Sequence, residues 1–333
     1  MKTRSIMVQT LCVPCANRCR YCLLSWDGTC IGADYERSRT YAASFYRWLR
    51  ENRPDLSFAF SFGYSMEHPK LLEAIDFMRE IGSPGGEYLQ FDGMRMRSES
   101  QLRSLMEQLK EHGIKKLNFT FYGTESYHDC FAGRRGDFAL LRRSVEAALL
   151  SGLIISAGIP VTRENASQAD PLLGMLRETG IEELRFFIPH EEGRGASLHE
   201  VRCREEDMKN WSEEAKTLLN RTIYRTEAEW LAEKEQVPPE NRALLLSLTK
   251  DNIARLEKTA FSAVLRELED LDEAYYRTVP SERELAERYG NKENTALYRR
   301  RDLFQKYRKQ YLAENRLNPY DVTDERQSGS RRY

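Results

Sequence analysis

The stretch from Ser5 to Pro189 alternates between short β-type segments and amphipathic helical segments, and this alternation limits the possible folds more than any other feature. After each of the first five β-type segments, apolar residues recur at spacings of three and four, which is typical of a helix with one buried face. Strands that alternate with helices form a parallel sheet. The predicted strands are Ile6–Leu11, Leu56–Ser61, Tyr88–Phe91, Leu117–Phe121, Ile154–Pro160 and Leu184–Ile188.

Periodicity alone leaves two architectures open for this sheet. The sheet is either doubly wound, with helices on both faces, or curled into a barrel. In both architectures the functional side chains gather at the carboxyl ends of the strands. We therefore expect an α/β fold whose functional site lies at that edge of the sheet.

The pattern changes from about residue 200 onward, where strand signals give way to charged helical segments. One helix start is marked clearly, because Ser281 and Glu284 have the spacing of a capping box. We expect an α/β unit in residues 1–199, a mostly α-helical region in 200–320 and a polar, disordered tail in 321–333. The predicted helices of the second region are Glu205–Asn220, Glu227–Glu235, Glu240–Leu271, Glu282–Tyr289 and Asn294–Asn315.

Composition excludes several classes of protein. Hydrophobic residues make up 41% of the 333 residues, which is enough to form a sizeable core. The formal net charge of −1 gives no overall attraction to nucleic acid or to an anionic membrane. The sequence contains no signal-peptide pattern and no apolar run near the roughly 20 residues that span a bilayer. We therefore expect a cytoplasmic protein with neither a membrane nor a nucleic acid as its partner.

Three cysteines lie on a short loop directly after the first predicted strand, at the edge where function is expected. Cys15, Cys19 and Cys22 have the spacing C-x3-C-x2-C. Thiolates this close converge on one centre, and thiolates are the ligands of iron–sulfur clusters and of structural zinc. Cys12 offers a fourth thiolate for zinc, but zinc sites usually separate their ligand pairs by a longer loop. A cubane cluster held by three cysteines instead leaves one iron open to a chelating cofactor.

The motif C-x3-C-x-aromatic-C after the first strand resembles the signature of the radical S-adenosylmethionine (SAM) superfamily. The resemblance covers roughly the first 195 residues and implies a partial (β/α)6, TIM-like barrel. It implies a [4Fe–4S] cluster on the three cysteines and SAM bound at the open iron. It also implies reductive cleavage of SAM to a 5′-deoxyadenosyl radical, with electrons from flavodoxin or ferredoxin. A single cluster is expected, because no cysteine follows Cys203.

The resemblance extends to residues near the ends of the later strands. The family's Gly-Gly-Glu-Pro segment falls on 62–65, where Gly63 matches and Tyr64 replaces the glutamate, so Glu67 or backbone groups would contact the SAM amino group instead. An arginine of the loop after the fourth strand falls on Ala132, and Arg134 or Arg135 takes its place. The resemblance implies that the cofactor contacts are made by Tyr21, Gly63, Thr120, Arg134, Arg163 and Asn165.

The substrate is less defined than the cofactor. The loop from His128 to Phe138 resembles one found in peptide-modifying members of the superfamily, which favours a peptide substrate, and a small biosynthetic metabolite is the alternative. Tyr64, Tyr122 and His190 are the catalytic candidates, because they are predicted to lie at the strand ends. Two other functions stay open: an iron–sulfur electron carrier or redox sensor without SAM chemistry, and a zinc-stabilised binding protein.

Overall fold

The computed structural model describes residues 5–10, 15–22, 32–63, 66–233 and 243–323. These residues form strands β1 (Ser5–Thr10), β2 (Ser57–Ser61), β3 (Tyr88–Gln90), β4 (Lys116–Thr120), β5 (Ile154–Pro160), β6 (Glu183–Phe187), β7 (Arg225–Thr226), β8 (Ala243–Leu248) and β9 (Leu297–Tyr298). The helices are α1 (Tyr35–Asn52), α2 (Leu71–Glu80), α3 (Glu99–Glu111), α4 (Glu125–Ala132), α5 (Asp137–Leu150), α6 (Ala169–Glu178), α7 (Glu213–Leu218), α8 (Glu227–Leu231), α9 (Ile253–Leu256), α10 (Phe261–Thr278), α11 (Glu282–Tyr289) and α12 (Arg300–Glu314).

The α/β class predicted from the alternation is confirmed. Each of the six predicted strands is present, with bounds that agree to within one residue. They lie in two parallel sheets with the orders β2-β1-β8 and β3-β4-β5-β6, while β7 and β9 form a separate antiparallel pair. The six strands therefore follow the neighbour order of a partial barrel, with the sheet interrupted between β2 and β3.

A side chain satisfies the strand edge at this interruption. In the described residues, no backbone pairing joins β2 to β3. Ser83, in the turn after α2, accepts a hydrogen bond from the Phe60 N–H over 3.3 Å and donates one to the Phe60 carbonyl over 3.0 Å. Ser83 is buried, and its hydroxyl bonds the two backbone groups of Phe60 that a neighbouring strand would otherwise bond.

The prediction that Glu240–Leu271 is helical throughout is wrong, because among its described residues only Ile253–Leu256 and those from Phe261 onward are helical. Residues Ala243–Leu248 form β8, which pairs in parallel with the whole of β1. The segment Ala-Leu-Leu-Leu-Ser-Leu contains no β-branched residue, and leucine favours helices, so local propensity pointed to the wrong structure. Burial on both faces of a parallel sheet selects a continuous apolar run of this kind, and tertiary packing prevailed.

Other segments of the C-terminal region also differ from the predicted helices. The stretch predicted to be helical over Glu205–Asn220 contains a 3-10 turn at 205–208 and the short helix α7. The segment Asn294–Asn315 begins with β9 before α12 starts. At the start of the predicted tail, residues 321–323 belong to the fold, because the Val322 carbonyl accepts a hydrogen bond from the Leu245 N–H over 2.9 Å and Val322 is buried. The rest of that tail, 324–333, lies outside the described residues.

The two faces of the sheet formed by β3 to β6 have opposite character. One face carries buried apolar side chains that join the main core with residues of α3, α5 and α6. The opposite face is polar and carries Gln90, Asn118 and Ser156 at paired positions on three neighbouring strands. Side chains alternate between faces along each strand, so this polar face is the inside of the partial barrel. A polar interior leaves room for a functional site above it.

Candidate functional site

The cysteine loop lies at the carboxyl end of β1 and is held first by the loop after β3. The Ala16 N–H donates to the Gly93 carbonyl over 2.7 Å. Gly93 has a φ of 68°, and a Cβ atom at this position would lie 2.3 Å from Cys15 Sγ. Only glycine therefore fits beside the thiol of Cys15.

The loop is held on a second side by the end of α4. The Arg18 N–H donates to the Ala132 carbonyl over 2.8 Å, and the Arg20 N–H donates to the Phe131 carbonyl over 3.0 Å. These carbonyls belong to the last turn of the helix and have no partner within it. The cysteine loop thus supplies backbone donors that α4 needs, and α4 fixes the position of the loop.

The segment after β6 holds the loop on its third side. The Arg194 N–H donates to the Cys22 carbonyl over 3.0 Å, and the Arg194 Nε donates to the Cys19 carbonyl over 2.9 Å. Anchors from three different strand ends therefore converge on eight residues.

The three thiols share one partly buried environment. Burial raises the pKa of the Cys15 thiol, and a hydrogen bond from the Asn17 N–H partly offsets this effect. Burial also raises the pKa of Cys19, to about 12, against the opposing hydrogen bond from Tyr122. As they stand in the described residues, no three His, Cys, Asp or Glu side chains form a ready metal site. The thiols nevertheless interact electrostatically with one another, and three soft sulfur donors suit an iron–sulfur cluster.

A buried carboxylate under the loop ties the cysteine motif to α4 and α5. The Asn17 side chain donates to Asp137 Oδ2 over 2.9 Å, and Arg134 pairs with Asp137 Oδ1. His128 Nδ1 accepts the Tyr122 N–H over 3.1 Å, so its proton lies on Nε2, which is 3.1 Å from Asp137 Oδ2. Burial acts to raise the pKa of Asp137, but the His128 and Arg134 hydrogen bonds outweigh it and hold the pKa below its usual value.

Arg134 was predicted to contact the cofactor. In the structure its guanidinium binds the Asp137 carboxylate and the Met94 carbonyl. It therefore links the segment after β3 to α5. Direct contact with a cofactor stays a prediction for this residue.

Tyr122 was predicted as a catalytic candidate, and the structure places its hydroxyl on a predicted cluster ligand. The Tyr122 hydroxyl donates to Cys19 Sγ over 3.1 Å. The ring is only 2% exposed and packs with centroid distances of 4.8 Å against both His128 and Phe131. The hydroxyl is therefore directed to the cysteine loop.

Tyr21, which precedes the third cysteine, has its ring among aromatic side chains beneath the loop. Its centroid lies 5.5 Å from that of Tyr122 and 6.2 Å from that of Phe187. Burial raises the pKa of Tyr21 well above its usual value, and the nearby Asp92 carboxylate raises it further. The hydroxyl therefore stays protonated, and it lies within hydrogen-bonding reach of Tyr122 and Thr120.

Asp92 is a site residue that the sequence analysis missed. Its Oδ1 accepts the Thr120 N–H over 3.1 Å, and its Oδ2 accepts the Thr120 hydroxyl over 2.8 Å. Burial raises the pKa of Asp92 to about 7, although its hydrogen bonds with Gln90 and Thr120 act in the opposite direction. The signal available was a carboxylate directly after the predicted third strand. Thr120, predicted to contact the cofactor, thus donates its hydroxyl to this carboxylate.

A chain of hydrogen-bonded side chains continues from Asp92 across the inner face of the sheet. Gln90 donates to the Thr120 hydroxyl over 3.0 Å, and Asn118 donates to Gln90 Oε1 over 2.6 Å. Ser156 in turn donates to Asn118 Oδ1 over 3.0 Å. The chain crosses β3, β4 and β5, and it holds Asp92 and Thr120 in fixed orientations.

Asn165 and Arg163, both predicted to contact the cofactor, are engaged within the protein. The Asn165 amide donates to the Tyr122 carbonyl over 2.7 Å and the Pro160 carbonyl over 2.8 Å, and its Oδ1 accepts the Thr162 N–H over 2.7 Å. This geometry favours a positioning role, in which Asn165 joins the ends of β4 and β5. The exposed Arg163 reaches Asp207 over 3.5 Å, and its cofactor contact also stays a prediction.

Two site residues were predicted after β2, namely Gly63 for the cofactor and Tyr64 as a catalytic candidate. Gly63 belongs to the described residues, and Tyr64 lies outside them. Gly63 has a φ of 84°, and its N–H donates to the Ser61 hydroxyl over 3.3 Å. Glu67, the suggested substitute for the missing glutamate, pairs with Arg97 over 2.8 Å. Cys12 and Cys30 also lie outside the described residues.

His190, after β6, is oriented by a residue of the C-terminal region. Its Nδ1 lies 2.8 Å from Oδ1 of Asp302 in the first turn of α12. Next to this pair is a cavity of about 130 Å³. The cavity is lined by Glu191, Glu192, Arg202, Tyr298, Asp302, Lys306 and Lys309.

None of the helices in the described residues is both long enough and apolar enough to cross a bilayer.

The sequence matches no family model and no curated protein sequence. Among solved structures, the chain resembles Streptococcus suis SuiB bound to the precursor peptide SuiA at a TM-score of 0.42 and 14% identity, over 57% of this chain and 40% of SuiB. It resembles native anSMEcpe with bound AdoMet at 0.41 and 19% identity, over 56% of this chain and 52% of the other.

A third similar structure is coproporphyrinogen III oxidase, HemN, from Escherichia coli, which is described as a radical SAM enzyme. The TM-score is 0.44 at 10% identity, over 74% of this chain and 64% of HemN. The chain thus spans less than two thirds of the length of each of these three proteins. At TM-scores this low, the likenesses assign neither a ligand nor a substrate to this chain.

Proposed function

We propose that this chain is a radical SAM enzyme, in which Cys15, Cys19 and Cys22 hold a [4Fe–4S] cluster. The observation that carries the proposal is the position of these three thiols, on one loop at the carboxyl end of β1, with anchors from the segments after β3, β4 and β6. Catalytic sites of parallel α/β folds lie at this edge. The motif C-x3-C-x-aromatic-C, in the same place, resembles the signature of the superfamily.

The residues present fit such a cluster. The donor set is three soft thiols, and glycine at position 93 leaves the space that a Cβ atom would fill beside Cys15 Sγ. The Asn17 N–H already bonds the Cys15 sulfur, as is common for cluster ligands. When bound, the cluster and SAM would supply a 5′-deoxyadenosyl radical that abstracts hydrogen from an organic substrate.

The chain itself positions the reacting groups and excludes water. Tyr21 and Tyr122 form an aromatic floor beneath the cysteine loop. Asp92, fixed by Thr120, presents a carboxylate at the top of the polar interior, where it would accept hydrogen bonds from hydroxyl groups of a ribose or of a substrate. Of the predicted contacts, we propose Tyr21, Gly63 and Thr120 for the cofactor, with Arg134 and Asn165 as positioning residues.

We propose a peptide as the substrate, with a small biosynthetic metabolite as the alternative. His190 and Asp302 lie at the strand ends beside a cavity lined by charged residues, which would accept polar groups of either. We also propose residues 1–199 as the unit that carries the radical chemistry, with β8 contributed to its sheet by the region 200–320. Flavodoxin or ferredoxin in the cytoplasm would supply the electron.

The proposal is tested by purifying the protein without oxygen, reconstituting it with iron and sulfide, reducing it and measuring conversion of SAM to 5′-deoxyadenosine. The control is a triple variant, Cys15→Ala, Cys19→Ala and Cys22→Ala. We expect the parent to form 5′-deoxyadenosine and the triple variant to form none. Binding of zinc alone, or a cluster that never cleaves SAM even with dithionite, would contradict the proposal.

A second candidate function is an iron–sulfur electron carrier or redox sensor. The replacement of the Gly-Gly-Glu motif after β2, of which only Gly63 remains, favours it. Such a protein would show reversible one-electron chemistry and no SAM cleavage in the same experiment. The polar interior above β3 to β5 favours an enzyme, because a carrier has no use for an oriented Asp92 inside a barrel.

A further inference from the structure

We propose that Tyr122 raises the reduction potential of the cluster by donating a hydrogen bond from its hydroxyl to Cys19 Sγ. The inference rests on the proposed function and deepens it, because it assigns a residue that acts on the cluster through a ligand. Tyr122 is then a positioning residue of the cluster. We do not assign Tyr122 a reaction with the substrate, because its hydroxyl donates to Cys19 Sγ.

The hydroxyl is fixed in place by contacts at both ends of the residue. Its distance to Cys19 Sγ is 3.1 Å. The ring packs on His128 and Phe131, the backbone N–H donates to His128 Nδ1, and the backbone carbonyl accepts from Asn165 over 2.7 Å. Because backbone and ring are both held, the hydroxyl oxygen is kept within hydrogen-bond distance of the sulfur.

The chemistry of the contact sets the direction of the effect. A thiolate ligand carries more negative charge when the cluster is reduced, and a donated O–H bond therefore stabilises the reduced state more than the oxidised state. Tyr122 is only 2% exposed, and the low local dielectric strengthens the bond. The hydroxyl thus makes the cluster easier to reduce.

The effect of the Tyr122 hydroxyl on the reduction potential opposes that of the negative charges near Cys19. The carboxylates of Asp92 and Asp137 both act on Cys19 as nearby negative charges. Negative charge near a cluster disfavours the added electron. A donor aimed at Cys19 offsets this effect without adding a cation to the buried site.

The chain offers a matched control in Tyr127, on the same helix that anchors the cysteine loop. Its ring packs against Phe131 at 5.9 Å, as the ring of Tyr122 does at 4.8 Å. Its hydroxyl, however, donates to Glu164 over 3.0 Å. Tyr127→Phe therefore removes a tyrosine hydroxyl beside the same ring while leaving Cys19 unchanged.

The test is a potentiometric titration of the reconstituted cluster, followed by electron paramagnetic resonance (EPR), in the parent, Tyr122→Phe and Tyr127→Phe proteins at equal iron content. We expect the ratio of reduced to oxidised cluster at a fixed potential to fall several-fold in Tyr122→Phe. A tenfold fall would correspond to 59 mV for a one-electron couple. The ratio in Tyr127→Phe should match that of the parent.

Placing 3-fluorotyrosine at position 122 provides a second arm that preserves the packing if Tyr122→Phe does not take up a cluster. Its more acidic hydroxyl is a stronger donor and should shift the potential upward. Potentials equal to the parent's in Tyr122→Phe, or no upward shift with 3-fluorotyrosine, would overturn the inference. Failure of the parent itself to assemble a [4Fe–4S] cluster would instead refute the proposed function, so the two failures are distinguishable.

Discussion

At the scale of single residues, the strand ends bring together side chains that the sequence keeps far apart. Asp92 follows β3, and Thr120 ends β4, yet the two share two hydrogen bonds. Asn17 lies within the cysteine motif and bonds Asp137 at the start of α5. Each contact fixes a polar group near the predicted cluster, and the bond of Asn17 to Asp137 also holds the cysteine loop.

The raised pKa of Asp92 predicts a stability effect that depends on pH. Burial raises this pKa from 3.8 to about 7, so Asp92 lowers the folding stability progressively as the pH rises from about 4 to about 7. We expect Asp92→Asn to stabilise the cluster-free protein at pH 8, by up to about 4 kcal/mol at about 1.4 kcal/mol per pKa unit. Near pH 4, where the carboxyl is protonated in the parent, the gain should vanish.

The measurement is anaerobic denaturant unfolding of both proteins between pH 4 and pH 8. Asp251→Asn, which alters an exposed aspartate, provides the control and should change stability little at either pH. A loss of stability in Asp92→Asn that is the same at all pH values would show that the carboxylate is ionised without cost.

At the scale of elements, the strand β8 changes how the C-terminal region relates to the α/β unit. It lies on the far side of β1 from β2 and extends the parallel sheet. Gln9 of β1 donates to the Ser247 hydroxyl over 2.9 Å, so the added strand also lines the polar inner face. The capping box predicted at Ser281 is confirmed, with Ser281 and Glu284 bonding each other's backbone N–H groups.

Truncating a leucine of β8 should therefore destabilise the whole sheet. Leu244 is 1% exposed, and Leu244→Ala should lower the free energy of unfolding by about 2–5 kcal/mol through loss of buried area and formation of a cavity. Leu150→Ala is the control, because Leu150 is 79% exposed and should contribute little. Equal, small effects of both substitutions in denaturant unfolding would contradict the placement of β8.

At the scale of the whole molecule, several polar links join the end of the α/β unit to the C-terminal region. His190 pairs with Asp302, and Arg202 donates to the carbonyls of Pro189 and Leu297. The C-terminal region has a small apolar cluster of its own, to which Trp230, Leu285, Tyr298, Phe304 and Tyr307 belong. The site at the strand ends is thus bordered by residues from both regions.

One buried carboxylate, that of Glu227, binds Tyr307 of this C-terminal apolar cluster. Glu227 is 2% exposed, and it accepts hydrogen bonds from the Asn291 N–H over 2.8 Å, from the Asn294 amide and from the Tyr307 hydroxyl. We expect Glu227→Ala to cost about 3 kcal/mol, because the buried Tyr307 hydroxyl and two partly buried asparagine donors lose their acceptor. Hydrogen exchange of α12 should rise sharply while that of β4 stays unchanged.

Glu287→Ala provides the control for this substitution. Glu287 is exposed and pairs with Arg283 four residues before it on α11, an arrangement worth a few tenths of a kcal/mol. Similar hydrogen exchange of α12 in both variants would mean that Glu227 does not stabilise the apolar cluster of the C-terminal region.

The sequence predicted the parts of this molecule that local periodicity controls. The six strands of the α/β unit and the position of the cysteine loop follow from apolar spacing and from one dense motif. The strand β8 was not predicted, because the local propensity of a leucine-rich segment favours a helix. Asp92 was not predicted as a site residue either, because a single aspartate after a strand forms no sequence pattern. Its role is visible only when the fold places Thr120 beside it.

The most direct test of the central claim is the EPR spectrum of the reduced, reconstituted protein before and after SAM is added. The account predicts a [4Fe–4S] signal that depends on Cys15, Cys19 and Cys22, and whose g-values change when SAM binds the open iron. A [4Fe–4S] signal that SAM leaves unaltered would contradict the account and favour an electron carrier or redox sensor. Zinc in place of iron, with no such signal, would contradict it entirely.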